Sequence, residues 1–89
     1  MILMNTQNQK TIFITGSSSG LGRATAKLFA SKGWKVIATM RNPEKETELN
    51  NISGVTLMAL DITNPNQITS VVEQVMAGGG VDVVFNNAG

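Results

Sequence analysis

Three glycines, at positions 16, 20 and 22, stand between a short apolar run and a stretch with helical spacing. The run is Thr11-Ile12-Phe13-Ile14-Thr15, rich in β-branched residues, and it stops at Gly16, which predicts a strand. Beyond the loop, Leu21, Ala24, Leu28 and Phe29 recur at helical spacing up to Lys32, with Gly33 as the stop, which predicts a helix. A strand that turns through glycines straight into a helix has few ways to pack. The helix starts at the strand's end and folds back along the sheet.

The same alternation repeats down the chain. Lys35 to Met40, with Val36, Ile37 and Thr39, reads as a second strand. Asn42-Pro43 offers a cap followed by proline at a first helical position, with Glu44 and Glu46 in the first turn, so a short helix is expected to about Leu49. A loop through Asn50, Asn51 and Gly54 leads to a third strand, Val55 to Leu60. Asn64-Pro65 repeats the helix signal, Gln67 completes a pattern like a capping box, and Val71, Val72 and Val75 form an apolar stripe. Gly78-Gly79-Gly80 breaks that helix, and Val81 to Phe85 is expected to form the fourth strand before Asn86-Asn87-Ala88-Gly89.

The order β-α-β-α-β-α-β with short connections implies a parallel sheet with right-handed crossovers and helices on both faces. Near-continuous apolar strands agree, because such strands are covered on both sides. The expected class is α/β: the N-terminal βαβαβαβ portion of a Rossmann-type fold. Residues 1–10 form a tail and residues 11–89 a partial dinucleotide-binding domain. The chain has 89 residues, enough for one domain or part of one.

Composition narrows the function classes. There is no cysteine, which excludes disulfides and thiolate chemistry and suits a reducing compartment. Histidine is absent as well, so the commonest metal ligand and general base are missing and no metal site is expected. Seven basic and six acidic residues are scattered without a basic block, which argues against nucleic acid or an anionic membrane as partner. The apolar start Met1-Ile2-Leu3-Met4 is too short for a signal-peptide core, and a cytoplasmic protein is the default expectation.

The glycine loop carries the chemistry. Gly16 allows a sharp turn off the strand, Gly20 lets a pyrophosphate approach, and Gly22 lets the helix pack closely. Backbone N–H groups at the helix start, with its positive dipole end, then hold phosphate, and Ser17, Ser18 and Ser19 add hydroxyl donors without bulk. A P-loop is disfavoured, because no Gly-Lys-Ser/Thr occurs and Arg23 is followed by Ala24. After the second strand comes Met40-Arg41-Asn42, with no carboxylate before Glu44. A carboxylate there would bind the ribose 2′-hydroxyl of NAD, whereas Arg41 suits the 2′-phosphate of NADP, the preferred cofactor. A solvated loop arginine is the competing reading. Asp61 and Asn87 end the third and fourth strands, where adenine and ribose contacts belong. Asp61 serves equally well as a turn or capping residue before Asn64.

With these residues in place, the chain resembles the classical short-chain dehydrogenase/reductase family. Thr15-Gly16-x3-Gly20-Leu21-Gly22 is similar to its cofactor loop, with Ser18 and Ser19 inside it. Asp61-Ile62 resembles the adenine-contacting pair, and Asn86-Asn87-Ala88-Gly89 resembles the motif that supports the central sheet and borders the adenine ribose. The likeness covers nearly the whole chain from Thr11 onward. It implies that Arg41 lies where NADP-preferring members carry a basic residue, while the basic residue some of them carry before the second glycine is here Ser19, leaving hydroxyls and Arg23 to assist.

The family's catalytic tyrosine, the lysine four residues later, the serine and a later asparagine all lie beyond the Asn-Asn-Ala-Gly motif. The sequence ends at that motif and has no tyrosine, so no residue is given a catalytic role and a fragment of a longer enzyme is expected. For the parent, the resemblance implies hydride transfer between nicotinamide and a small carbonyl or alcohol substrate, in a homo-oligomer. The alternative is a non-catalytic dinucleotide-binding sensor or scaffold. The resemblance also implies an unpaired outer edge on the fourth strand, and hence a fragment prone to associate.

Overall fold

The computed structural model describes residues 9–87. Four strands, β1 (Thr11–Thr15), β2 (Lys35–Met40), β3 (Val55–Ala59) and β4 (Val83–Asn86), form one sheet in the order β3-β2-β1-β4. Every pairing is parallel. Ile12 faces Val36 on one side and Val83 on the other, so β1 is central and the glycine loop after it emerges mid-sheet.

Two helices cover opposite faces, as alternation along the strands requires. Ile12, Ile14, Val36, Ala38 and Met40 point to the face covered by α1 (Gly20–Ser31), packing with Ala26 and Leu49. Ile37 points to the other face and packs with Leu60 and with Val71 and Val75 of α2 (Pro65–Ala77). Period-two strands thus feed two separate cores. Phe29 and Trp34 pack against the α1-side core in an edge-to-face pair, 4.9 Å between centroids.

Several expected elements differ in detail. The buried face of α1 carries Gly22 and Ala26, whereas Leu21 and Leu28 are exposed. The smallest side chains take the seam, because they let the helix axis come close to the sheet. On α2, Val71 and Val75 are buried but Val72 is exposed. Both true stripes follow helical spacing; an apolar residue beside each had blurred them.

The helix expected from Pro43 to Leu49 is replaced by two single 3₁₀ turns, Pro43–Lys45 and Leu49–Asn51. Between them Glu46 is extended, at φ −79° and ψ 126°, and its carboxylate accepts the backbone N–H groups of Glu48 (3.0 Å) and Leu49 (2.8 Å). A side chain that supplies those acceptors replaces the helical carbonyls, so the helix does not propagate. The β3 strand ends one residue early, although the Leu60 N–H still donates to the Met40 carbonyl at 2.8 Å. The β4 strand begins two residues late, because Asp82 instead clamps Thr11. Its N–H donates to the Thr11 carbonyl and its carboxylate accepts the Thr11 N–H, both at 2.8 Å.

At the start of α2 the Asn64 side chain accepts the Gln67 N–H at 3.2 Å, as the capping pattern predicts. The reciprocal arm differs: the Gln67 side-chain oxygen accepts from the Asp61 N–H, not from the cap's own amide. That bond ties the start of α2 to the turn leaving β3.

Candidate functional site

The C-terminal ends of β1 and β2 and the turn after β3 open together on one cleft of about 660 Å³. Parallel sheets place ligand crevices at this edge, beyond the carboxyl ends of the strands. Of the residues singled out in the sequence, Gly16, Ser18, Arg41, Asp61 and Ile62 line it. Ser19, Gly20, Leu21, Gly22 and Asn87 do not, and Ala88 and Gly89 lie outside the described residues.

The loop takes its shape from its glycines. Gly16 and Gly20 have left-handed backbones, φ +65° and +59°, which a side chain would strain. Ser17 is fully buried: its N–H donates to the Thr39 carbonyl (3.0 Å) and its hydroxyl to the Ile14 carbonyl (3.1 Å). It therefore pins the loop to the sheet, contrary to its expected place among the outward donors. Ser18 is exposed on the cleft wall, and Ser19 precedes α1 in an extended conformation. Among the described residues no side chain caps the start of α1, and its first turn carries no carboxylate. In α2 the Asn64 side chain fills that role. Among the described residues, the amino end of α1 thus keeps its positive dipole end and its first N–H groups free of a side-chain acceptor.

Asn87 braces the loop. Its backbone N–H donates to the Thr15 hydroxyl at 2.9 Å, and its side-chain amide donates to the Gly16 carbonyl at 3.1 Å. Gly22 completes the brace. A β-carbon there would overlap the Gly16 carbonyl oxygen and lie 2.8 Å from the Asn87 side-chain nitrogen.

The opposite wall holds the charges. Asp61 accepts both the backbone N–H (2.9 Å) and the hydroxyl (2.7 Å) of Thr63. The Thr63 hydroxyl, then its amide, and more weakly the Arg41 charge, hold the Asp61 carboxyl below its ordinary value. Asp61 is thus a turn residue, as one reading expected, and it also lines the cleft. Arg41 is exposed at the rim and, among the described residues, makes no hydrogen bond or ion pair.

Arg23, considered as an assistant to Arg41, is committed elsewhere. Its terminal nitrogens bind Glu46 at 2.9 Å and Glu48 at 2.8 Å, and Lys27 also pairs with Glu48. The Glu46 hydrogen bond raises the Arg23 pKa further, against a lowering by burial. Burial pushes the Glu46 carboxyl up, but the Leu49 amide, the Arg23 guanidinium and the Glu48 amide together outweigh it, and it sits below the ordinary value. Sequence reading missed this network and also Lys45, which lines the cleft beside Arg41 and Asn42. Arg23 and Glu46 are 23 residues apart and meet only through packing, so no spacing marks them.

A glycine loop from a central parallel strand into an uncapped helix, facing a cleft across the strand ends, defines a Rossmann-type nucleotide-binding fold. Residues 10–89 match the family model for short chain dehydrogenases, and the chain belongs to that family. It is similar to the short-chain dehydrogenase ptmH of Penicillium ochrochloron, 42% identical over 84 residues, which cover 91% of this chain and 31% of that protein. A short-chain dehydrogenase of Streptomyces avermitilis is similar in structure, with TM-score 0.84, 38% identity, and coverage of 92% and 31% of the two chains. A Burkholderia multivorans short-chain dehydrogenase/reductase solved with bound NADP gives TM-score 0.78, 35% identity, and coverage of 91% and 37%. The chain spans about a third of the length of the curated relatives it matches.

Proposed function

We propose that this chain supplies the adenosine side of an NADP(H) site in an oxidoreductase. The observation that carries the reading is Arg41, exposed and unpaired among the described residues, at the rim of a cleft lined by the glycine loop. A 2′-phosphate meets a guanidinium there, which favours NADP over NAD. The residues suit the group: Gly16, Gly20 and the uncapped amino end of α1 leave room and donors for a pyrophosphate. Ser18, Ser19, Leu21 and Gly22 belong to that loop, Asp61 and Ile62 to the adenine side, and Asn87, with Ala88 and Gly89 after it, to the ribose side. When bound, the nicotinamide supplies or accepts hydride.

The parent reaction in this proposal is hydride exchange with a small carbonyl or alcohol substrate, in a homo-oligomer. A cytoplasmic setting belongs to the same reading, supported by the lack of cysteine. This chain's residues hold and orient the cofactor; none is assigned a proton-transfer role. The test is titration with NADPH and NADH, followed by calorimetry, for the chain and for Arg41→Ala. NADPH is expected to bind about tenfold more tightly, with the difference reduced in the variant. Equal affinities in the parent chain overturn the NADP preference, and binding of neither overturns the site.

A further inference from the structure

The cleft wall holds three cations, Arg23, Arg41 and Lys45, and they are not equivalent. Both terminal nitrogens of Arg23 carry a carboxylate, Glu46 on one and Glu48 on the other. Lys45, like Arg41, is exposed and has no hydrogen-bonded or ion-paired side-chain partner among the described residues. A dianion entering here therefore meets two available cations, not one and not three.

The backbone explains why Lys45 stands at this wall. Its N–H donates to the Asn42 carbonyl at 3.0 Å in the tight turn that Pro43 opens. The next residue, Glu46, is only 4% exposed and is fixed by Arg23 and by the Glu48 and Leu49 amides. A turn before Lys45 and a buried anchor after it hold its backbone, so mainly side-chain freedom is lost when it engages an anion. The same anchor keeps Arg23 turned onto its glutamates, which separates the neutralised part of the wall from the cationic part.

We infer that Lys45 is a second specificity-determining residue, acting with Arg41 on the phosphate of a 2′-phosphorylated adenosine. The inference rests on the NADP(H) reading above. Arg41 provides planar, paired donors, whereas Lys45 provides a mobile point charge that follows the phosphate. Glu46 fixes the segment that carries Lys45 and keeps Arg23 engaged.

The test uses adenosine 2′,5′-bisphosphate and adenosine 5′-monophosphate as probes, titrated calorimetrically into the chain and into Lys45→Ala and Lys32→Ala. Lys32 is exposed at the far end of α1 and controls for net charge. The expected result is a loss of about fivefold in affinity for the bisphosphate in Lys45→Ala, the size of one exposed charge-assisted pair, with the monophosphate unchanged. Lys32→Ala leaves both affinities as they were. If the unaltered chain binds the bisphosphate more tightly and Lys45→Ala does so equally well, the inference fails while the cofactor reading stands. A parallel loss for both probes, or the same loss in Lys32→Ala, reduces Lys45 to general attraction and also overturns it. Binding of neither probe by the unaltered chain removes the cofactor reading, and the inference with it.

Discussion

The side-chain amide of Asn87 donates to the carbonyl oxygen of Gly16 at 3.1 Å, tying the end of β4 to the glycine loop at the end of β1. Gly22 lies against both partners, since a β-carbon on it would overlap that oxygen and crowd that nitrogen. One point thus joins two strand ends and the first turn of α1. Gly22→Ala is expected to destabilise the chain by about 1–3 kcal/mol, the cost of overpacking a close contact. Asn87→Ala removes one side-chain hydrogen bond and is expected to cost about 0.5–1.5 kcal/mol. The double variant should fall short of the sum, because both changes act on the same carbonyl. Urea denaturation of the four proteins measures this, and strictly additive losses would show that the contacts are independent.

Gly20 provides the contrast. A β-carbon there meets nothing within 4 Å, yet φ is +59°. The cost of Gly20→Ala is therefore backbone strain alone, about 1–2 kcal/mol. The sequence distinguishes these glycines only by position. The turn at Gly16 was legible because a strand and a helix flank the loop. The role of Gly22 was legible in kind, but its actual contacts are not, since Asn87 is 65 positions away along the chain.

Local patterns carried the fold well where one period dominated. Ile12 and Ile14 alternate cleanly with Phe13, and Asn64-Pro65 with Gln67 marks the start of α2 by short-range hydrogen bonds. Reading failed where a tertiary partner decided the outcome. Pro43 to Leu49 has local helix signals, but Glu46 finds Arg23 and the Leu49 amide, and the segment turns twice instead. Leu21 and Leu28 look like core by hydropathy. The sheet selects Gly22 and Ala26 instead, because closeness of approach outweighs side-chain size there.

The Glu46 network makes acid stability predictable in sign. Glu46, Glu48 and Asp61 all lie below their ordinary values of 4.5, 4.5 and 3.8. A carboxyl depressed in the folded state stabilises when ionised, above its unfolded pKa, and loses that contribution as pH falls through the folded value. Stability contributed by these groups should hold from neutral pH to about pH 5 and decline below it. Glu46→Gln cannot ionise and loses its charge-assisted bond to Arg23. It is expected to melt lower than the parent at pH 7 and to show a shallower decline between about pH 4.5 and 3. Circular dichroism melts across that range check the sign. Parallel curves would assign the acid limb to Glu48 and Asp61 alone.

The outer side of β4 is expected to decide how the 89-residue chain behaves in solution. Among the described residues β4 pairs only with β1, and Val84 and Val83 are 61% and 39% exposed. No charged side chain lies within Val83–Asn86, and Val72 and Met76 add exposed apolar surface on α2. Unpaired strand edges without charge or proline template the addition of further strands. The chain is therefore expected to self-associate with rising concentration, and Val84→Lys should suppress it by placing a charge on the edge. Val84 is exposed, so the substitution should change folding stability by no more than about 0.5 kcal/mol. Met76→Lys removes apolar surface but leaves the edge open, and its effect should be smaller. Sedimentation velocity over a concentration series separates the cases. A concentration-independent monomer for the unaltered chain would show that the edge is already protected, and equal suppression by both lysines would assign association to apolar area, not to strand pairing.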